Sequence, residues 1–121
     1  RASDERRPWI GASIHSTGEL ETAIAAGSPL DSVHLAPIWN PRSKPAERPA
    51  LGLEALAETA RIAARKGILV LAQGGLDAER AGACIAAGAA GIAVTGIVRQ
   101  AADPRAEVRA LRRALDRREA N

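Results

Sequence analysis

Apolar and polar positions along the chain fall into two alternating kinds of segment. Short, nearly unbroken aliphatic runs occur at "WIGASIH" (9–15), "SVHLAPIW" (32–39), "ILVLAQ" (68–73) and "GIAVTGIV" (91–98). Runs this short and this continuous predict strands covered on both faces. Between them, apolar residues recur three and four apart, which predicts helices. The helical segments are 18–27, 53–67, 77–88 and 103–120. Leu53, Leu56, Ala60 and Ala63 form the stripe of the second, and Val108, Leu111 and Leu115 that of the last. Asp77 and Asp103 suit N-caps, Pro104 suits a first turn, and a glycine closes the first helix. "NPRSKPAERPALG" (40–52) carries three prolines and no periodicity, and reads as a loop.

The order is βαβαβαβα, which implies a parallel sheet with right-handed crossovers. An open doubly wound sheet and part of a (β/α)8 TIM barrel both satisfy it. Small residues on one side of the outer runs (Gly11, Ser13; Ala93, Thr95) against larger ones on the other (Ile10, Ile14; Ile92, Val94) favour a barrel near its ligand mouth. The expected fold is therefore α/β, four βα units in a single domain, 1–121, with 103–121 as its final helical segment. A complete barrel has eight units and about 250 residues. Four units leave two sheet edges unpaired. The expectation is association with a missing barrel half, or with a second copy in a homodimer. A chain that starts at Arg1 and holds no Met reads as a fragment or a processed product.

Composition narrows this picture. Hydrophobic residues make up 46% and aromatics only 2%, both Trp, so the core is aliphatic and rich in alanine. The net charge is +3 and the pI about 10.0, carried by arginine, with only Lys44 and Lys66 as lysines. Acidic residues interleave with Arg109, Arg112, Arg113, Arg117 and Arg118 on the last helix, and no aromatic is there to stack on bases. That pattern is a solvated face rather than a nucleic-acid surface. One cysteine, Cys84, excludes an internal disulfide and fits a reducing, cytoplasmic setting; mid-helix among alanines, it reads as packing. No apolar run approaches the roughly 20 residues of a membrane span.

The stretch "LAQGGL" (71–76) raises the chemical question. A glycine pair at the end of a buried strand contributes no packing. It serves either a tight turn or a close backbone approach to a group such as phosphate. The residues alone leave both open.

"IGASIHSTGEL", "DSVHLAPIW", "LGLEAL", "QGGL" and "AAGAAGIAVTGIV" followed by "AADP" occur in this order. Together they resemble the C-terminal half of the thiamine phosphate synthase / TenI family, over about residues 9–105. The resemblance implies a (β/α)8 barrel. It also implies a synthase that joins a pyrimidine pyrophosphate to a thiazole phosphate and releases pyrophosphate. In the family pattern, Gly74-Gly75 and Thr95-Gly96 bind the thiazole phosphate through backbone N–H groups. Ser13 contacts pyrophosphate, and His15 matches the Ser-x-His spacing. "PIWNPRSK" (37–44) matches a segment in which Ser43 and Lys44 meet pyrophosphate oxygens, but Pro41 stands where the family has a threonine, so one hydrogen bond is lost.

Two further readings accompany this one. A non-catalytic family member would bind a phosphorylated ligand or stabilise an assembly, as Pro41 and the missing half suggest. A TenI-like thiazole tautomerase would need a histidine as general base. His34 points into the barrel if Val33 and Leu35 face the helices, but the family's catalytic His falls at Pro37, and a satisfied core His is the plainer reading. Gln73 stands where the family has an aliphatic residue, and alternation does not fix its direction. The family uses Mg2+ held by acidic residues of the N-terminal half. This chain offers no carboxylate at a strand end on the small-residue face. The expectation is that it carries the thiazole-phosphate part of the site and does not catalyse synthesis alone.

Overall fold

A computed structural model describes residues 7–40 and 48–120, the last four of these by backbone alone. Among the described residues, four strands and five helices follow one another: β1 (Gly11–Ile14), α1 (Thr17–Ala25), β2 (Ser32–Leu35), α2 (Gly52–Ala64), β3 (Leu69–Gln73), α3 (Ala78–Ala87), β4 (Gly91–Ala93), α4 (Gly96–Arg99) and α5 (Pro104–Ala120). All pairings are parallel and the strand order is β1-β2-β3-β4. That order decides between the two architectures. A doubly wound sheet reverses order at a switch point and carries helices on both faces. A monotonic order with right-handed crossovers puts every helix on one face, as in a barrel.

The register shows which side chains meet the helices. Ile14, Val33, Leu35, Val70 and Ala72 are buried and share one core with Leu20, Leu56 and Cys84 beneath the helical layer. The alternate residues form the other face. Gly11 and Ser13 are exposed there, His34 and Leu71 are half-buried, and Leu69 is 45% exposed. On β1 this is the small-residue face expected to line a barrel, while β2 and β3 add His34, Leu69 and Leu71 to it.

Local signals hold the units together. Ser16 caps α1 by accepting the Glu19 N–H at 3.1 Å, and Asp77 caps α3 by accepting the Arg80 N–H at 2.8 Å. Each such cap stabilises by about 1 kcal/mol. Asp31, 3% exposed, accepts the Ile10 N–H and the Arg7 guanidinium, both at 2.8 Å. It thereby ties the approach to β1 onto the start of β2.

The helix stripes differ in detail from the expected ones. In α2 the buried residues are Leu56, Thr59 and Ala63, while Leu53 is exposed. Thr59 enters the core because its hydroxyl bonds that of Thr17 at 2.9 Å. In α5 Leu111 and Ala114 are buried and Val108 is 50% exposed. The inward face runs through Glu107, Ala110, Leu111, Ala114 and Leu115, a stripe recurring once per helical turn. Two strands are shorter than the aliphatic runs suggest. β2 stops at Leu35, ahead of a cis Ala36–Pro37 bond. β4 stops at Ala93, and Ile97 and Val98 belong instead to the short α4, packed against the Leu111 cluster.

Cys84 is fully buried, and burial pushes its thiol up from 9.0 to about 11. The unfolded chain therefore releases this proton first. The associated stability is fully present below about pH 9 and is lost as pH rises toward 11, a fall of about 2–3 kcal/mol. The chain has no Tyr and only two Lys, so little else titrates in that window. Urea unfolding from pH 8 to 11 should show this fall, and Cys84→Ala should flatten it. An equal slope in the variant would assign the fall to other groups.

Candidate functional site

β3 ends in a turn that only glycine can make. Gly74 has φ +105° and Gly75 φ +65°, both in the region that disfavours side chains. The turn is also tightly covered. A Cβ on Gly74 would lie 2.7 Å from the Pro37 Cα, and one on Gly75 would lie 2.6 Å from the Asn40 oxygen. The segment after β2 fits against the pair. Its Ile38 N–H donates to the Gln73 carbonyl at 2.9 Å, and its Trp39 N–H to the Gly74 carbonyl at 3.1 Å.

This contact fixes where the glycine amides point. A trans peptide is planar, with its C=O and N–H on opposite sides. The Gly74 carbonyl faces the β2 side, so the Gly75 N–H of the same peptide faces away from it. β3 lies between β2 and β4. The Gly75 N–H is thus directed to the β4 side, where Thr95 and Gly96 follow that strand. Among the described residues, the amides of Gly75 and Gly96 have no hydrogen-bond acceptor.

Between the two turns lies an open cleft of about 890 Å³. Gln73, Gly74, Gly75, Thr95 and Gly96 line it, beyond the C-terminal ends of β3 and β4. Its charge is mixed, with Arg99 from α4 and the carboxylates Asp103 and Glu107 at its α5 side. Arg99 escapes a reading of the sequence because its segment continues the aliphatic run of a strand. Arg80 escapes it as one more helix arginine; it donates from Nη1 to the Gly75 carbonyl at 2.8 Å.

The other expected residues are placed differently. Ser13 sits opposite His34 on the open sheet face, and neither it nor His15 lines the cleft. His15 addresses Glu19 twice: its N–H donates to the carboxylate, and its Nδ1 lies 3.7 Å away. That pairing gives His15 a structural role at the entry to α1. His34 does lie on the inner face, and its Nδ1 is 3.2 Å from the Gln73 Oε1. Gln73 therefore points inward too, joining β2 to β3 across that face. Ser43, Lys44 and Pro41 lie outside the described residues.

The inner-face residues of the described strands include no carboxylate, and no group of three His, Cys, Asp or Glu side chains converges among the described residues. They do not fit an oxygen-ligand site for Mg2+.

A monotonic parallel sheet with one helical layer, and a cleft beyond its last two strands, defines a segment of a (β/α)8-type barrel. The thiamine monophosphate synthase family model matches residues 1–98. The chain is 38% identical over 102 residues to a thiamine-phosphate synthase of Roseiflexus sp. (strain RS-1), covering 84% of this chain and 41% of that protein. It is 36% identical over 110 residues to the thiamine-phosphate synthase of Mycolicibacterium smegmatis, covering 91% and 46%. Among solved structures, thiamine phosphate pyrophosphorylase from Pyrococcus furiosus matches with a TM-score of 0.74 and 28% identity, over 90% of this chain and 49% of that one. The chain belongs to the thiamine monophosphate synthase family, and it spans under half the length of these relatives. No helix among the described residues is long and apolar enough to cross a membrane.

Proposed function

We propose that this chain carries the thiazole-phosphate half-site of a thiamine phosphate synthase barrel. In the complete barrel, the reaction joins a pyrimidine pyrophosphate to the thiazole phosphate and releases pyrophosphate. The observation that carries this reading is the direction of the Gly75 N–H, across the cleft toward Thr95 and Gly96. A phosphate dianion is held well by convergent amides that have no other partner. Arg99 adds a cation at the same rim. Ser13, Ser43 and Lys44 are assigned to pyrophosphate, with the remaining contacts and the Mg2+ ligands supplied by the other barrel half. That half, or a second copy of this chain, would cover Leu69 and the open sheet face.

The rival is a family member that does not catalyse. It draws support from the glycine pair's packing role against Pro37 and Asn40, which accounts for both glycines without a ligand. A titration of isotope-labelled chain with thiazole phosphate, followed by backbone amide signals, separates the two. The expected result is saturable shifts centred on Gly74, Gly75, Thr95 and Gly96. A folded sample with no shift at these amides would remove the phosphate assignment and leave the glycines as turn residues.

A further inference from the structure

We propose that Arg80 is a positioning residue: it holds the Gly75–Leu76 peptide in the one orientation that keeps a carbonyl out of the anion cleft. This deepens the thiazole-phosphate reading and rests on it. Three contacts converge on the glycine turn. Trp39 N–H holds the Gly74 carbonyl at 3.1 Å, Arg80 Nη1 holds the Gly75 carbonyl at 2.8 Å, and the Arg80 guanidinium lies over the Trp39 ring, 5.0 Å from its centroid. Both carbonyls of the pair are thereby engaged. By peptide planarity, the Leu76 N–H points away from Arg80; Leu76 lines the cleft, and its amide has no hydrogen-bond acceptor among the described residues.

The hold matters because glycine resists rotation so little. The 75–76 peptide turns over through ψ of Gly75 and φ of Leu76, and with no Cβ Gly75 accepts a wide range of ψ, so on the glycine side the carbonyl depends on its hydrogen bond to Arg80. A turned peptide would place a carbonyl oxygen where the N–H now lies. At a phosphate site that converts an attraction into a repulsion. Arginine is well suited to such a hold, because its planar guanidinium can lie over an aromatic ring and still donate within its own plane. Asp77 caps α3 on the Arg80 N–H at 2.8 Å, which fixes the first turn from which the side chain reaches back.

Arg80 also brings a positive charge, and the test separates charge from position. The direction of the Leu76 N–H vector is read in the free protein from residual dipolar couplings, and thiazole-phosphate affinity is read by amide titration. In Arg80→Met the vector is expected to turn and affinity to fall about tenfold or more. Arg80→Lys can still donate to the Gly75 carbonyl, and should restore the vector and most of the affinity. Lost affinity with an unmoved vector in Arg80→Met would overturn the proposal, since Arg80 would then act through charge alone. If Arg80→Met does not fold, Trp39→Leu removes the ring beneath the guanidinium while keeping the cation, and its vector is expected to turn; an unmoved vector there counts against the hold. A parent chain that binds no thiazole phosphate sinks the functional reading separately, while the free-protein vectors still decide what Arg80 does.

Discussion

Gly74→Ala is expected to cost about 2–6 kcal/mol of stability. Two effects add. At φ +105° an L side chain is strained, by about 1–3 kcal/mol. The new Cβ would also lie 2.7 Å from the Pro37 Cα, 2.9 Å from its Cβ and 3.1 Å from the Ile38 nitrogen. Two of these are backbone atoms, which cannot rotate aside, so the segment after β2 must move; overpacking of this kind costs about 1–3 kcal/mol. The movement would break the Ile38 and Trp39 hydrogen bonds to the end of β3. Small domains have about 5–15 kcal/mol in total, so the loss is a large share. Gly82 supplies the contrast: it lies within α3, and a Cβ there meets nothing within 4 Å. Gly82→Ala should gain about 0.5–1 kcal/mol from helix propensity. Urea midpoints of the two variants and the parent test this, and a loss below about 1 kcal/mol at Gly74 would mean that the turn yields more easily than its packing implies.

The second large effect concerns Lys44. In a complete barrel, Lys44→Ala is expected to lower thiamine phosphate synthesis by about 10²–10³-fold, with little change in KM for thiazole phosphate. An ammonium beside the leaving pyrophosphate stabilises charge that grows only as the bond breaks, so its loss falls on kcat. On the proposed assignment, Pro41 offers no donor in the same segment, which would leave more of that stabilisation to Ser43 and Lys44. Steady-state kinetics of the assembled barrel provide the check. Activity within tenfold of the parent would make Lys44 a solvated loop lysine. The chain without its other half is expected to show no turnover, and efficient synthesis by it would refute the assignment of Mg2+ ligands to that half.

All four βα units are legible in the sequence because each strand is a continuous aliphatic run bounded by glycine, proline or a capping aspartate. The errors lie where aliphatic residues continue past the strand. Ile38 is fully buried and Trp39 still bonds the end of β3, so the segment after Leu35 keeps its apolar character without ladder geometry. Ile97 and Val98 face the Leu111 cluster from a four-residue helix, too short to show a period. Val108 is misplaced when apolar identity is read ahead of angular position. The glycine turn is legible as a special backbone, but not its direction, which depends on tertiary partners at Trp39 and Arg80. The inward aim of Gln73 likewise rests on His34, 39 residues earlier in the chain.

The monotonic strand order has a consequence for how such a chain gains its structure. The main contacts run between neighbours in sequence: α1 with α2, α2 with α3, β1 with β2, β2 with β3 and β3 with β4. Each pairing closes a loop of one βα unit rather than of the whole chain, which limits the loop-closure entropy of each step. The molecule is in this sense a short linear array, in which each unit is completed by the next. Its interior units have neighbours on both sides. Its two ends rely on dedicated fastenings: the Arg7 and Asp31 pair beneath β1, and α5 laid on α3 beside β4. Fraying should begin where those fastenings give way, and the glycine cleft lies next to one of them.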